Sequence, residues 1–254
     1  MEALLAFLAT LVSLRLSAAL LRRYRAVRAP ELLAWSAALG SFALGSGALA
    51  WGASAGWSDP AFRVYYLFGG LLSAALLGAG SLLRVGLRPV GPVALAYIGL
   101  AVGIAVAVPL TSPVVGGSIP EAQAHLELFP ARVLAIAGNS LGTLAAVAVA
   151  AAGLRRRPLG NTLVLAGLLV AALGSALAGL GEAESASFAA AAALLLYGGF
   201  VLPQPGATSP LTQPDPPEQS ADERPERDLG DQPRAPAVRE QAHPRESSQR
   251  PPAV

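Results

Sequence analysis

The stretch ELLAWSAALGSFALGSGALAWGASAGWSDPAFRVYYLFGGLLSAALLGAGSLLR (residues 31–84) decides the fold. It reads as two apolar helices joined by a turn at residues 53–62. Trp35, Trp51 and Trp57, all three tryptophans of the chain, lie in it, with Tyr65, Tyr66, Phe42, Phe62 and Phe68. Charge brackets each apolar run at an interval of about twenty residues, the length a helix needs to cross a hydrocarbon layer about 30 Å thick. The rest of the chain repeats that interval in a blander alphabet of Ala, Leu, Val and Gly.

Composition supports the same reading. The chain has 254 residues, 54% hydrophobic and 13% charged, about half the charged share of an ordinary soluble domain. It has no cysteine, which excludes disulfides, thiolate metal sites and cysteine nucleophiles. It has no lysine either, since all 18 basic residues are arginine, so no side-chain Schiff base can form.

Seven apolar runs are expected as spans: about residues 3–21, 32–52, 63–83, 91–110, 131–153, 162–181 and 186–202. Charges in the connections test that count. Residues 22–30, 84–90 and 154–160 carry arginines at 22, 23, 25, 28, 84, 88, 155, 156 and 157. The alternate connections carry Asp59, Glu121, Glu127, Glu182 and Glu184, with Arg63 and Arg132 at helix starts. Positive charge marks the cytoplasmic side. The expectation is therefore an all-α polytopic transmembrane bundle of seven helices in the cell (inner) membrane of a bacterium, N-terminus outside and C-terminus cytoplasmic. Arginines follow the first run rather than precede it, the reverse of a signal peptide, so that run is expected to be a retained span. Residues 203–254 hold 12 prolines and no aromatic residue. They cannot bury enough surface to offset ordering entropy, and read as a disordered, Pro-rich cytoplasmic tail.

Local signals place the ends and faces. Pro30 suits a helix start. Asp59-Pro60 reads as an N-cap followed by proline in the first turn. Ser118-Ile-Pro-Glu121 has capping-box spacing and predicts a short outer helix over residues 120–128. Gly40 belongs to a small-residue face of the second run. Gly70, Ala74 and Gly78 repeat at i, i+4, i+8 in the third, a ridge on which a neighbour packs closely in lipid, with the second run as the expected partner. Trp51, Trp57, Tyr65 and Tyr66 are expected as anchors in an aromatic belt at the outer interface. Ala37-Ala-Leu-Gly-Ser41 recurs as Ala171-Ala-Leu-Gly-Ser175, which would fit a parallel three-one-three repeat of the kind found in SWEET-type sugar transporters.

Candidate ligand or cavity residues are few. Arg15 is the one charge inside an apolar run. It either snorkels to the headgroups or turns inward towards Asn139 or an anionic ligand. Asn139, Ser140 and Thr143 form the most polar patch inside any run. They line a cavity or, as favoured here, bond across to a neighbouring helix. Glu121 and His125, four apart, read as a solvated pair rather than the start of a metal site. No paired carboxylates, no nucleophile with a base and no phosphate loop appear, so neither enzyme chemistry nor a cofactor nor a metal is expected.

Three stretches carry a resemblance: Arg25-Ala-Val-Arg-Ala-Pro-Glu-Leu-Leu-Ala-Trp35, Phe62-Arg-Val-Tyr-Tyr-Leu-Phe-Gly-Gly70 and Leu76-Leu-Gly-Ala-Gly-Ser-Leu-Leu-Arg84. They resemble a group of multi-pass membrane proteins of high-GC, actinobacteria-like bacteria. The likeness covers about residues 20–85 and implies no activity, because none is established for that group. More loosely, the layout resembles the seven-helix sensor region in front of some bacterial histidine kinases, from which this chain departs by lacking a kinase. Two functions are carried forward. One is a non-enzymatic membrane sensor or interaction module, whose partners are the bilayer and a protein bound by the tail or the outer loop, with no nucleic acid. The other is a small-solute or lipid transporter.

Overall fold

A computed structural model of the chain describes residues 2–179 and 185–201. The expected disordered tail at 203–254 and the turn holding Glu182 and Glu184 lie outside the described residues. Among the described residues the protein is helical, with no strand. The helices are α1 (Glu2–Val27), α2 (Pro30–Ala55), α3 (Asp59–Arg84), α4 (Val90–Ala107), the single turn α5 (Ala122–His125), α6 (Leu128–Ala152), α7 (Pro158–Gly179) and α8 (Ser185–Val201). Five of them, α1, α2, α3, α4 and α6, are long and apolar enough to cross a membrane. α7 and α8 are apolar over the shorter stretches Pro158–Gly174 and Ala186–Phe200.

The helix ends follow local chemistry, with three departures. α1 does not stop at its arginines but carries Arg22, Arg23 and Arg25 in its last turns. Arg28, with a positive φ of 58°, then turns the chain, and Pro30 opens α2. α2 runs on to Gly56, whose φ of 88° ends it, so the α2–α3 turn is only residues 56–58 rather than 53–62. At α3 the cap position is Ser58, not Asp59. The Asp59 carboxylate instead accepts the backbone N–H of Val114 at 2.7 Å, and a donor 55 residues away outcompetes the helix's own orphan amides.

α1 packs on α2, α2 on α3, α3 on α6, α6 on α7 and α7 on α8, and α8 returns to α1. α4 leans on α3 and the start of α6, outside this ring. Only 11% of its most apolar stretch is buried, against 50% for α2.

Glycine sets where the ring closes. A Cβ on Gly45 would lie 2.9 Å from the Gly69 backbone, and one on Gly78 would strike the backbone of Gly142. Elsewhere an aromatic ring fills the notch: Trp35 lies over Gly80, Trp57 over Gly52 and Tyr97 over Gly138. Dispersion at such short separations holds helices together, and it is the main attraction in any bundle that lies in lipid. The expected α2–α3 pairing is present, but not through the expected ridge. Gly78 and Ala74 face Gly142 of α6, Gly70 meets the ring of its own Tyr66, and Gly40 faces Ser17 of α1. The i, i+4 spacing gives a face; it does not say which neighbour takes it.

Candidate binding sites in the bundle

The centre of α3 is not α-helical. Residues Tyr66–Leu72 form a π-helical stretch, a form used in short pieces and common at functional sites. Three consecutive carbonyls here receive side-chain donors. The Ser73 hydroxyl donates to Gly69 O at 2.8 Å, the Asn139 amide to Gly70 O at 2.8 Å, and the Tyr97 hydroxyl to Leu71 O at 2.8 Å. One donor is from α3 itself, one from α6 and one from α4. The π stretch is thus the polar joint of three helices. Nothing in Tyr66-Leu-Phe-Gly-Gly-Leu-Leu72 announces it, since π register depends on which neighbours reach its carbonyls.

The sequence candidates do not converge on a cavity. Asn139 is the interhelical bond just described. Thr143, one turn further along α6, is half-buried, and Ser140 is exposed. Arg15 is exposed on α1, and the Asn139 amide is bonded to Gly70 O rather than to it. Ser17 is half-buried in a clasp between α1 and α2. Its hydroxyl donates to Ser36 O at 2.7 Å and the Ser36 hydroxyl donates to Ser17 O at 2.9 Å. Arg63 donates to Ala105 O at 2.6 Å, a second peg on α4. Among the described residues, the buried side-chain polar atoms with no hydrogen-bond partner are Ser13 Oγ, Trp35 Nε1 and Trp57 Nε1.

Above the bundle, residues 108–127 form a cap. Trp57 N–H donates to Gly116 O at 2.8 Å, Asp59 holds Val114, and Thr111 N–H donates to His125 O at 3.0 Å. Phe62 and Trp57 are buried beneath it against Val114 and Leu126 of the cap itself. Trp57 was expected as a belt anchor; it is core, 4% exposed, with its ring edge-on to Tyr65 at 5.4 Å. Tyr66 stacks on Phe62. Of the four expected anchors, Trp51 alone presents its ring outward, at 64% exposure. The outer helix shrinks to Ala122–His125, begins at a Glu121 that gives no side-chain cap, and is followed by a π turn at Leu128–Arg132. His125 does not pair with Glu121. Its Nδ1 lies 2.9 Å from the Ser112 hydroxyl and its ring packs on Phe62, because the cap supplies a nearer partner than the exposed Glu121 carboxylate.

A groove of about 220 Å³ lies between α3, α4 and α6. Val90, Val93, Ala94 and Tyr97 line it from α4, at i, i+3, i+4 and i+7. Ala79 and Leu141 belong to its other walls. Its one side chain with a polar group is Tyr97, already bonded to Leu71 O. A second pocket, between Phe62, Arg63, Ile104 and Leu126 under the cap, holds only about 10 Å³. Among the described residues no three His, Asp or Glu side chains gather where a metal ion would sit.

Comparison of the chain with protein-family models, with curated proteins and with solved structures finds no match.

Proposed function

We propose that this chain is a seven-span inner-membrane protein, N-terminus outside and C-terminus in the cytoplasm, that acts as a non-enzymatic sensor or interaction module. The five long apolar helices and two shorter ones support the span count, and the arginines between alternate runs support the orientation. One observation favours a module over a small-solute transporter. The polar side chains between helices (Ser17, Ser36, Tyr97 and Asn139) are spent on backbone carbonyls of their neighbours. A solute path needs such groups facing a shared watery cavity. Here the groove between α3, α4 and α6 is apolar, and polar and charged groups lie on the cap and in the arginine-rich turns.

The cysteine-free sequence makes the test direct. Single cysteines at Asn139, Ser140 and Thr143 are treated in membranes with membrane-impermeant thiol reagents. The module reading expects no labelling from either side. Labelling of Asn139→Cys or Thr143→Cys from one side would mean water enters the bundle, and the transporter reading would replace it. Reporter fusions in the turns near Arg28, Gly56, Arg88, Gly116 and Arg157 should alternate sides. Two neighbouring fusions on one side would remove a span.

A further inference from the structure

We infer that the groove between α3, α4 and α6 holds one acyl chain of an anionic phospholipid, with its headgroup on the arginine-rich turn that leads into α4. The inference rests on the membrane-spanning reading above.

The lining decides the chemistry of the occupant. A polar solute in this groove would lose its hydrogen bonds to water and find one hydroxyl, already spent on Leu71 O, so its burial would be unfavourable. Water fares no better, because a bound water needs two to four polar partners, and apolar cavities of about 150 Å³ stay dry. At about 220 Å³ the groove is also smaller than the ~300 Å³ at which pockets for drug-sized molecules begin. A hydrocarbon chain meets each condition. The groove exists because α4 is held off α3 and α6 by the Tyr97 ring, which crosses to both. It extends from Tyr97 to Val90, about 10 Å at helical rise, and Val90 is two residues from Arg88.

Charge at that mouth selects the headgroup. Arg88 is exposed, and no ion pair is formed to it among the described residues. Arg84, at the end of α3, is also exposed and only loosely paired, at 3.9 Å to Glu31. The turn between them has no acidic residue. Arginine is the side chain suited to phosphate, through its planar fork of donors.

The full chain, purified in mild detergent and stripped of lipid, is titrated with phosphatidylglycerol or phosphatidylcholine and read by native mass spectrometry. Wild type should retain one phosphatidylglycerol and bind phosphatidylcholine at least fivefold more weakly. Ala94→Phe, which fills the groove, should lower retention of either lipid about tenfold. Arg88→Gln should abolish the preference while keeping chain binding. Gly99→Ala, on a part of α4 where an added Cβ meets nothing within 4 Å, should match wild type. Equal retention by Ala94→Phe and wild type overturns the site, as does a lipid-free dimer in place of a lipid adduct. Equal binding of the two lipids by wild type overturns the headgroup assignment. Failure of the spanning reading would show separately, as chain recovered in the soluble fraction before any lipid is added.

Discussion

α2 and α4 share a stock of Ala, Leu and Gly, yet one is the hub of the bundle and the other its margin. Half of the most apolar stretch of α2 is buried, against 11% for α4. Hydrophobicity does not make the hub, since α4 is the more apolar of the two. What does is the use of glycine. Gly45 and Gly52 of α2 are notches, one against the Gly69 backbone and one against the Trp57 indole. Gly91, Gly99 and Gly103 of α4 face open space. A glycine in a helix costs about 1 kcal/mol relative to alanine in water. That cost is recovered at α2 by a close crossing and at α4 by no contact. α4 hangs instead on two polar pegs, Tyr97 near its middle and Arg63 against Ala105 near its end. A helix held by pegs rather than by a packed face leaves a gap beside it, and that gap is the groove.

The sharpest way to break this comparison lies at the cap. Trp57→Ala should cost about 3–5 kcal/mol, the usual range for emptying a buried aromatic site. It should also expose residues 108–121 to limited proteolysis, since the indole that covers Gly52 and shares a buried cluster with Val114 is lost, although the backbone bond to Gly116 O survives. An unchanged melting temperature with an unchanged cleavage pattern would show the cap to be independent of the bundle. Next comes the hub itself. Gly45→Leu should cost about 3 kcal/mol, at the upper end of overpacking, because the obstacle is the Gly69 backbone and not a movable side chain. Wild-type expression and detergent stability in that variant would mean the α2–α3 crossing is soft.

Polar joints should give smaller effects. Asn139→Ala and Tyr97→Phe should each cost about 1 kcal/mol, in line with interhelical bonds in membrane bundles, read as a fall in melting temperature. Tyr97→Phe should in addition loosen α4 alone, seen as faster amide exchange across Val90–Ala107 with α2 unchanged. Equal acceleration in both helices would contradict the view of α4 as a separately hung element. Gly99→Ala, which removes the helix cost of glycine and meets no atom, should be neutral to mildly stabilising, by up to about 1 kcal/mol.

The parts of this fold that were legible in the sequence rest on short-range rules. Pro30 opening α2, the two helices of residues 31–84 and the positions of the apolar runs all follow from periodicity, proline and charge. Asn139 as a bond between helices was legible too, since a lone amide in an apolar run has little else to do. The misread elements each hang on a distant partner. Asp59 serves Val114 instead of its helix. Trp57 near a helix end reads like an interface anchor until the cap folds over it. Gly78 was assigned to α2 and belongs to α6, because spacing defines a face and only topology defines who meets it. The groove had no signal at all: Ala79, Ala94 and Val93 are ordinary residues, and the gap between them arises from the Tyr97 ring, not from their identity.

The most direct test is a paired measurement of melting temperature for leucine replacements at four glycines. Gly78→Leu and Gly142→Leu place a side chain where another backbone already lies, and Gly99→Leu and Gly103→Leu place one in open space. The account expects the first pair to lose the folded, monodisperse protein or melt far below wild type, and the second pair to melt within a few degrees of it. Similar melting for all four would contradict the division of the bundle into a glycine-closed ring and a pegged α4.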